Sequence, residues 1–211
     1  MKRDTSLTTR NLAGTIRCTQ RISNIISNDL DGFPITFKWL DNIITGDEKW
    51  VLYVNVERKR HWLQPNQKPE PTPKADLHPK KRMLSVWWSV NGVLYWELLP
   101  EKATINASRY CAQLHRLAAE LAKEGKWRGK VYFHHDNAKP HVAKLTKKKL
   151  SSLNWETIPH PPYSPDIAPS DYHLFLSLSN QLRGKKFNNE TELKNFLKTF
   201  FDSKPILMAN I

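Results

Sequence analysis

The stretch MLSVWWSVNGVLYWELL, residues 83–99, decides the fold class. Two runs rich in β-branched and aromatic residues, 83–90 and 93–99, flank Asn91-Gly92. That pair suits a two-residue turn in which both central positions take positive φ, so the segment reads as an antiparallel hairpin. Upstream, WVLYVNV (50–56) has the same texture and predicts a strand. Residues 64–82 between them hold five prolines and several lysines, which predicts a long extended loop. Downstream, residues 104–124 read as a helix with the apolar stripe Tyr110, Leu114, Leu117, Ala118 and Leu121, stopped at Gly125. KVYFH (130–134) is a short strand, 140–150 a helix opening with Pro140, and WETIP (155–159) another strand. A proline-rich turn then leads into a helix starting near Ser170. A last helix, about 189–201, begins with Asn189 and Glu192 in capping-box spacing and carries Leu193, Phe196, Leu197 and Phe200 on one face. Three early strands followed by alternating helices and strands predict an α/β fold, a mixed sheet of about five strands flanked by helices.

Three aspartates stand where such a scaffold gathers site residues. Asp47, in TGDEKWV (45–51), immediately precedes the first strong strand; Asp136 ends the strand KVYFHHD; Asp171 falls in the first turn of the helix after the proline-rich loop. Counted back along the stripe Leu174, Phe175, Leu178 and Leu182, Asp171 points inward, where a charge is expensive unless paired or bound to metal. Its plainer reading is an acid at a helix N-terminus. Hard ions such as Mg²⁺ and Mn²⁺ prefer oxygen ligands, and two of them about 4 Å apart can drive phosphodiester chemistry. His134, His135 and His141 around Asp136, with His160 and His173 near the third acid, offer a rival zinc site. They have neither a cysteine partner nor HExxH spacing, and read better as orienting groups.

The segments TGDEKWVLY (45–53), HPKKRMLSVWW (78–88), GVLYWELLP (92–100), HHDNAKPH (134–141) and PHPPYSPDIAPSDYHLF (159–175) together resemble the mariner-family transposases. The resemblance runs from about residue 38 to about 204. The 34 residues between Asp136 and Asp171 match the interval that marks the mariner subgroup. It implies an RNase H-like, retroviral integrase-like catalytic domain over 38–204, with Asp47, Asp136 and Asp171 as ligands of two Mg²⁺ or Mn²⁺ ions. Asp166, five residues earlier, reads as a turn residue. The resemblance also implies that the loop 57–82 pairs two subunits and clamps DNA, that the assembled form is a homodimer, and that the protein works in the nucleus. Residues 1–37 then read as a linker remnant, with a short helix around Ile22, Ile25, Ile26 and Leu30, in a chain without the family's N-terminal helix-turn-helix pair. Residues 205–211 read as a truncated tail. Lys139 stands where the family usually has Arg, which keeps the charge and loses bidentate phosphate geometry.

Charge agrees with a polyanionic partner: Lys plus Arg number 33 against 20 acids, a formal net charge of +13. The candidate DNA contacts are Arg58, Lys59, Arg60, Trp62, Lys80, Lys81 and Arg82 in and beside the long loop. Lys139, His141, Lys144, Lys147 and Lys148 form a second group in a stretch with no acid between 137 and 155. The two cysteines, Cys18 and Cys111, argue against a disulfide framework, and no apolar run is long enough to span a membrane. Two other functions stay open: a catalytically idle nucleic-acid-binding remnant of a decayed element, and a ribonuclease H-type nuclease on the same fold.

Overall fold

Ile43, Ile44 and Thr45 open β1 (Ile43–Leu52), the central strand of a five-stranded sheet. The computed structural model describes residues 42–56, 76–125, 127, 130–161, 164 and 168–203. The short helix predicted near residue 22, Arg58, Lys59, Arg60, Trp62 and Asp166 lie outside them. β2 (Lys81–Ser89) and β3 (Gly92–Leu98) form the hairpin, and β4 (Val131–His134) and β5 (Trp155–Thr157) complete the sheet in the order β3-β2-β1-β4-β5. The hairpin side is antiparallel, whereas β1, β4 and β5 run parallel. The mixed five-stranded sheet is as the sequence predicts.

Three local expectations are corrected. β1 begins seven residues before the predicted strand, so Asp47 lies within it and pairs with Val86. The hairpin loop is Val90-Asn91, with Gly92 paired to Ser89; only Gly92 takes positive φ, at 110°. The predicted helix 140–150 is two pieces, α2 (Lys139–Val142) and α3 (Lys144–Ser152), broken where Ala143 is extended.

β1 divides the core by its alternation. Val51 packs with Leu84, Val86 and Trp88 of β2 against α4 (Leu176–Leu182) and α5 (Glu190–Asp202). Ile44, Trp87 and Phe133 pack on the other face against α1 (Ala107–Glu124) and α3. α1 starts three residues later than predicted because Asn106 caps it, accepting from Arg109 N, and Gly125 ends it at φ 62°. Asn189 caps α5 in the same way, and Glu192 accepts from Asn188 N, close to the predicted box. Opposite Trp87, Gly46 has no alternative: a Cβ there would lie 2.4 Å from the indole Cδ1.

The segment before α4 departs most from expectation. Ser170–Phe175 is a π-helical turn. Leu174, Phe175, Leu178 and Leu182 are buried as the stripe predicts, but Asp171 is exposed. A wider turn advances each residue through a smaller angle than an α-helix does, so extrapolating the stripe back to Asp171 fails. Trp88 Nε1 donates to Ser170 Oγ at 2.9 Å and ties this turn to β2.

A candidate metal and DNA site lined by three aspartates

Thr45 of β1 and His134 of β4 are register partners in the parallel pair. Asp47 and Asp136 each lie two residues beyond that pair, so the topology brings both acids to the same level of the sheet. The π-turn adds Asp171 from the side. All three line one cavity of about 490 Å³ together with Thr45, His134 and Ser170. Among the described residues no three His, Cys, Asp or Glu side chains close tightly enough to hold an ion between them.

The three carboxylates are held differently. Asp47 Oδ1 accepts from Glu48 N at 2.7 Å, yet the group is pushed up to about 8. Burial is the main cause, followed by the negative charge of Asp171, with Glu48 and Asp136 adding to it. Asp136 is drawn down to about 2, first by the hydrogen bond with His141 Nδ1 at 2.5 Å and further by the N–H of Ala138 at 2.9 Å, against its burial. Asp171 is exposed by surface area yet partly enclosed by the cavity wall, and that partial enclosure raises it, Lys49 opposing the rise and Asp136 adding to it. Burial and three neighbouring acid charges make the ionised form of Asp47 costly, a cost that a bound cation would offset. The site's oxygen-only acids are the donor set that Mg²⁺ and Mn²⁺ favour, so the residues present fit such ions.

The histidines have other work. His134 accepts or donates at both ring nitrogens, to Thr45 Oγ1 at 3.2 Å and His160 Nδ1 at 3.1 Å, and burial holds it down to about 4. His135 Nδ1 meets the Tyr110 hydroxyl at 2.9 Å, and burial holds it down to about 3. His141 is 2 % exposed. Its Nε2 lies 3.3 Å from Glu48 Oε2, at ion-pair distance without the alignment of a formed hydrogen bond. Burial alone would depress it, but the Asp136 and Glu48 carboxylates push it up to about 9. Of the histidines read as orienting groups, His141 makes a hydrogen bond to one of the three acids, and His134 and His135 bond to Thr45, His160 and Tyr110 instead.

Two candidate DNA contacts are corrected. His141 is buried and engaged with Asp136. Arg82 is also buried, because β2 alternation turns it toward α5: its Nε donates to Leu99 O at 2.6 Å and its Nη1 to Glu190 Oε2 at 2.8 Å. Neither has a face to offer a phosphate. Lys80, Lys81, Lys139, Lys144, Lys147 and Lys148 are exposed. Lys80 lies over the Tyr53 ring and Lys81 over the Trp50 ring, each at 4.5 Å. Glu48 was not singled out by sequence reasoning. Its only signal is that a residue next to Asp47 in a strand must face the opposite layer.

Residues 52–132 match the family described as Transposase (partial DDE domain). The chain is 41% identical over 170 residues to Mariner Mos1 transposase of Drosophila mauritiana, covering 79% of this chain and 49% of that protein. It is 40% identical, again over 170 residues, to the human Histone-lysine N-methyltransferase SETMAR, of which it covers 25%. The chain thus spans about half the length of the first relative and a quarter of the second. Among solved structures, the Mos1 transposase paired-end complex with left transposon end aligns at TM-score 0.78 and 40% identity, over 90% of this chain and 56% of that one. The crystal structure of the catalytic domain of Mos1 mariner transposase aligns at TM-score 0.67 and 35% identity, over 92% of this chain and 82% of that one. With this likeness over nearly the whole catalytic domain of a relative, the chain belongs to the mariner transposases and has their RNase H-like catalytic fold.

Proposed function

We propose that this chain is a metal-dependent DNA endonuclease and strand transferase that cuts transposon ends and joins them to target DNA, with Asp47, Asp136 and Asp171 holding two Mg²⁺ or Mn²⁺ ions. The observation that carries the reading is the shared cavity of the three acids, where burial first and the neighbouring carboxylates second drive Asp47 up to about 8. Solved Mos1 complexes described with Mn and with Mg support the choice of ion. When bound, the ions supply Lewis acidity for in-line displacement at phosphorus. The chain's own part is to hold the carboxylates: Asp136 is fixed by His141 and Ala138 N, Asp47 by Glu48 N, and Asp171 by the π-turn anchored on Trp88. In the cutting step, water oxygen bonds to phosphorus, the bond to the 3′ oxygen breaks, and that oxygen takes up a proton. The 3′-hydroxyl so freed then attacks a target phosphorus and displaces the target's own 3′ oxygen. The paired-end and strand-transfer complexes of Mos1 support DNA partners and a working homodimer for this chain, and we propose the nucleus as the place where it would meet such DNA. The direct test is nicking of end-sequence DNA in Mn²⁺, which a chelator should stop. A chain that binds DNA but never nicks it would support the idle-remnant reading instead.

The exposed lysines give a second expectation. Phosphate contacts release counterions, so affinity should fall steeply with salt. Five such contacts cost roughly 500-fold between about 50 and 200 mM salt. Titration of a labelled duplex at several salt concentrations measures the slope. Salt-insensitive binding would rule out the lysine face as the DNA contact.

A further inference from the structure

Glu48 and His141 are absent from the lining of the aspartate cavity, yet both are spent on one of its members. His141 reaches Asp136 Oδ1 at 2.5 Å, and the N–H of Ala138 reaches the same oxygen at 2.9 Å. Among the described residues these are the hydrogen bonds made to that carboxylate, and both fall on Oδ1, leaving Oδ2 uncommitted. The imidazole cannot turn away: its ring lies 4.2 Å from Tyr110 and is stacked 5.2 Å from His135. On its far side stands Glu48, whose side chain is 14% exposed and whose Oε1 is buried with no hydrogen-bond partner among the described residues. A buried carboxylate with an idle oxygen costs stability, so packing gives no reason for it. Its neighbour Asp47 shares β1 but faces the opposite layer, so one strand serves the cavity from both sides.

We propose that His141, backed by Glu48, is a positioning residue that occupies Asp136 Oδ1 and so presents Oδ2 to a divalent ion. The relay runs carboxylate, imidazole, carboxylate, ion, and the outer members act only through the orientation of the last ligand. This rests on the ion-holding role proposed for Asp136.

The test is a Mn²⁺ titration of the metal-free chain, read by calorimetry or by loss of the free-ion electron resonance signal, with no turnover involved. His141→Leu removes the donor and should weaken Mn²⁺ binding about 10- to 100-fold. His141→Asn places an amide nitrogen near the position of Nδ1 and should keep most of the affinity. Glu48→Gln should weaken binding in the His141 chain but have little effect beside His141→Asn, because the link to Glu48 is already cut there. Circular dichroism and melting curves show which variants are folded, and Glu48→Gln preserves shape should His141→Leu unfold. Equal Mn²⁺ affinity in wild type, His141→Leu and Glu48→Gln would overturn the proposal and leave the metal site standing. A wild-type chain that takes up no Mn²⁺ would overturn the metal site itself, and the relay with it.

Discussion

Asp136→Asn and Asp171→Asn should each lower Mn²⁺-dependent nicking by at least about 10²–10³-fold, the loss expected when one preorganised charge-stabilising group is taken from an active site. Asparagine keeps the size of the side chain and removes the charge that holds a hard cation. DNA binding should be unchanged or slightly tighter, because one negative charge fewer faces the phosphates. Asp166→Asn should do much less, since Asp171 lines the cavity and Asp166 reads from the sequence as a turn residue. Nicking and filter binding on the same preparations separate the two properties. An inactive Asp166→Asn beside an active Asp171→Asn would show that the wrong acid has been assigned.

Asp47→Asn should stabilise the metal-free chain at pH 8. The native carboxyl is raised from 3.8 to about 8, so the folded state holds its proton longer than the unfolded one does. The stability tied to this group is therefore fully present below pH 4 and is lost as pH climbs from there toward 8. A shift of that size corresponds to about 6 kcal/mol at most. Water and small cations entering the cavity reduce it, and a gain of about 2 kcal/mol, roughly 4–8 °C in Tm, is expected for the variant at pH 8. At pH 5 the difference should be much smaller. Melting curves with a chelator present at both pH values measure it. Mn²⁺ should raise the Tm of the wild type and not of the variant. If Asp47→Asn melts below the wild type at pH 8, Asp47 is not a strained acid awaiting a cation.

The aspartates were legible because their neighbours are: a strand end, a proline-rich loop and a helix start punctuate the chain around Asp136 and Asp171. β1 was harder to read. Its first half, IITGDEK, mixes two isoleucines and a threonine with a glycine and charges, because Ile44 and Gly46 pack inward while Thr45, Asp47 and Glu48 meet polar neighbours. A strand that mixes core and polar-site residues on its faces has no clean alternation to detect. The π-turn at 170–175 left no mark in periodicity, since the stripe it joins is intact from Leu174 onward. Arg82 and His141 were misread because charge is visible in a sequence and burial is not. Each is basic in a basic stretch, and each proves to be turned inward by the element that carries it.

The contact between Gly46 and Trp87 fixes how β1 and β2 can be aligned. Slide β1 by one position and Thr45 or Asp47 would fall under the indole, where the space does not admit even a methyl group. The site's alignment is therefore set by a lock within the sheet and not by the length of the chain that joins the two strands. A change of length in the chain joining β1 to β2, beyond the residues bonded at its two ends, would therefore leave Asp47 at the level of Asp136.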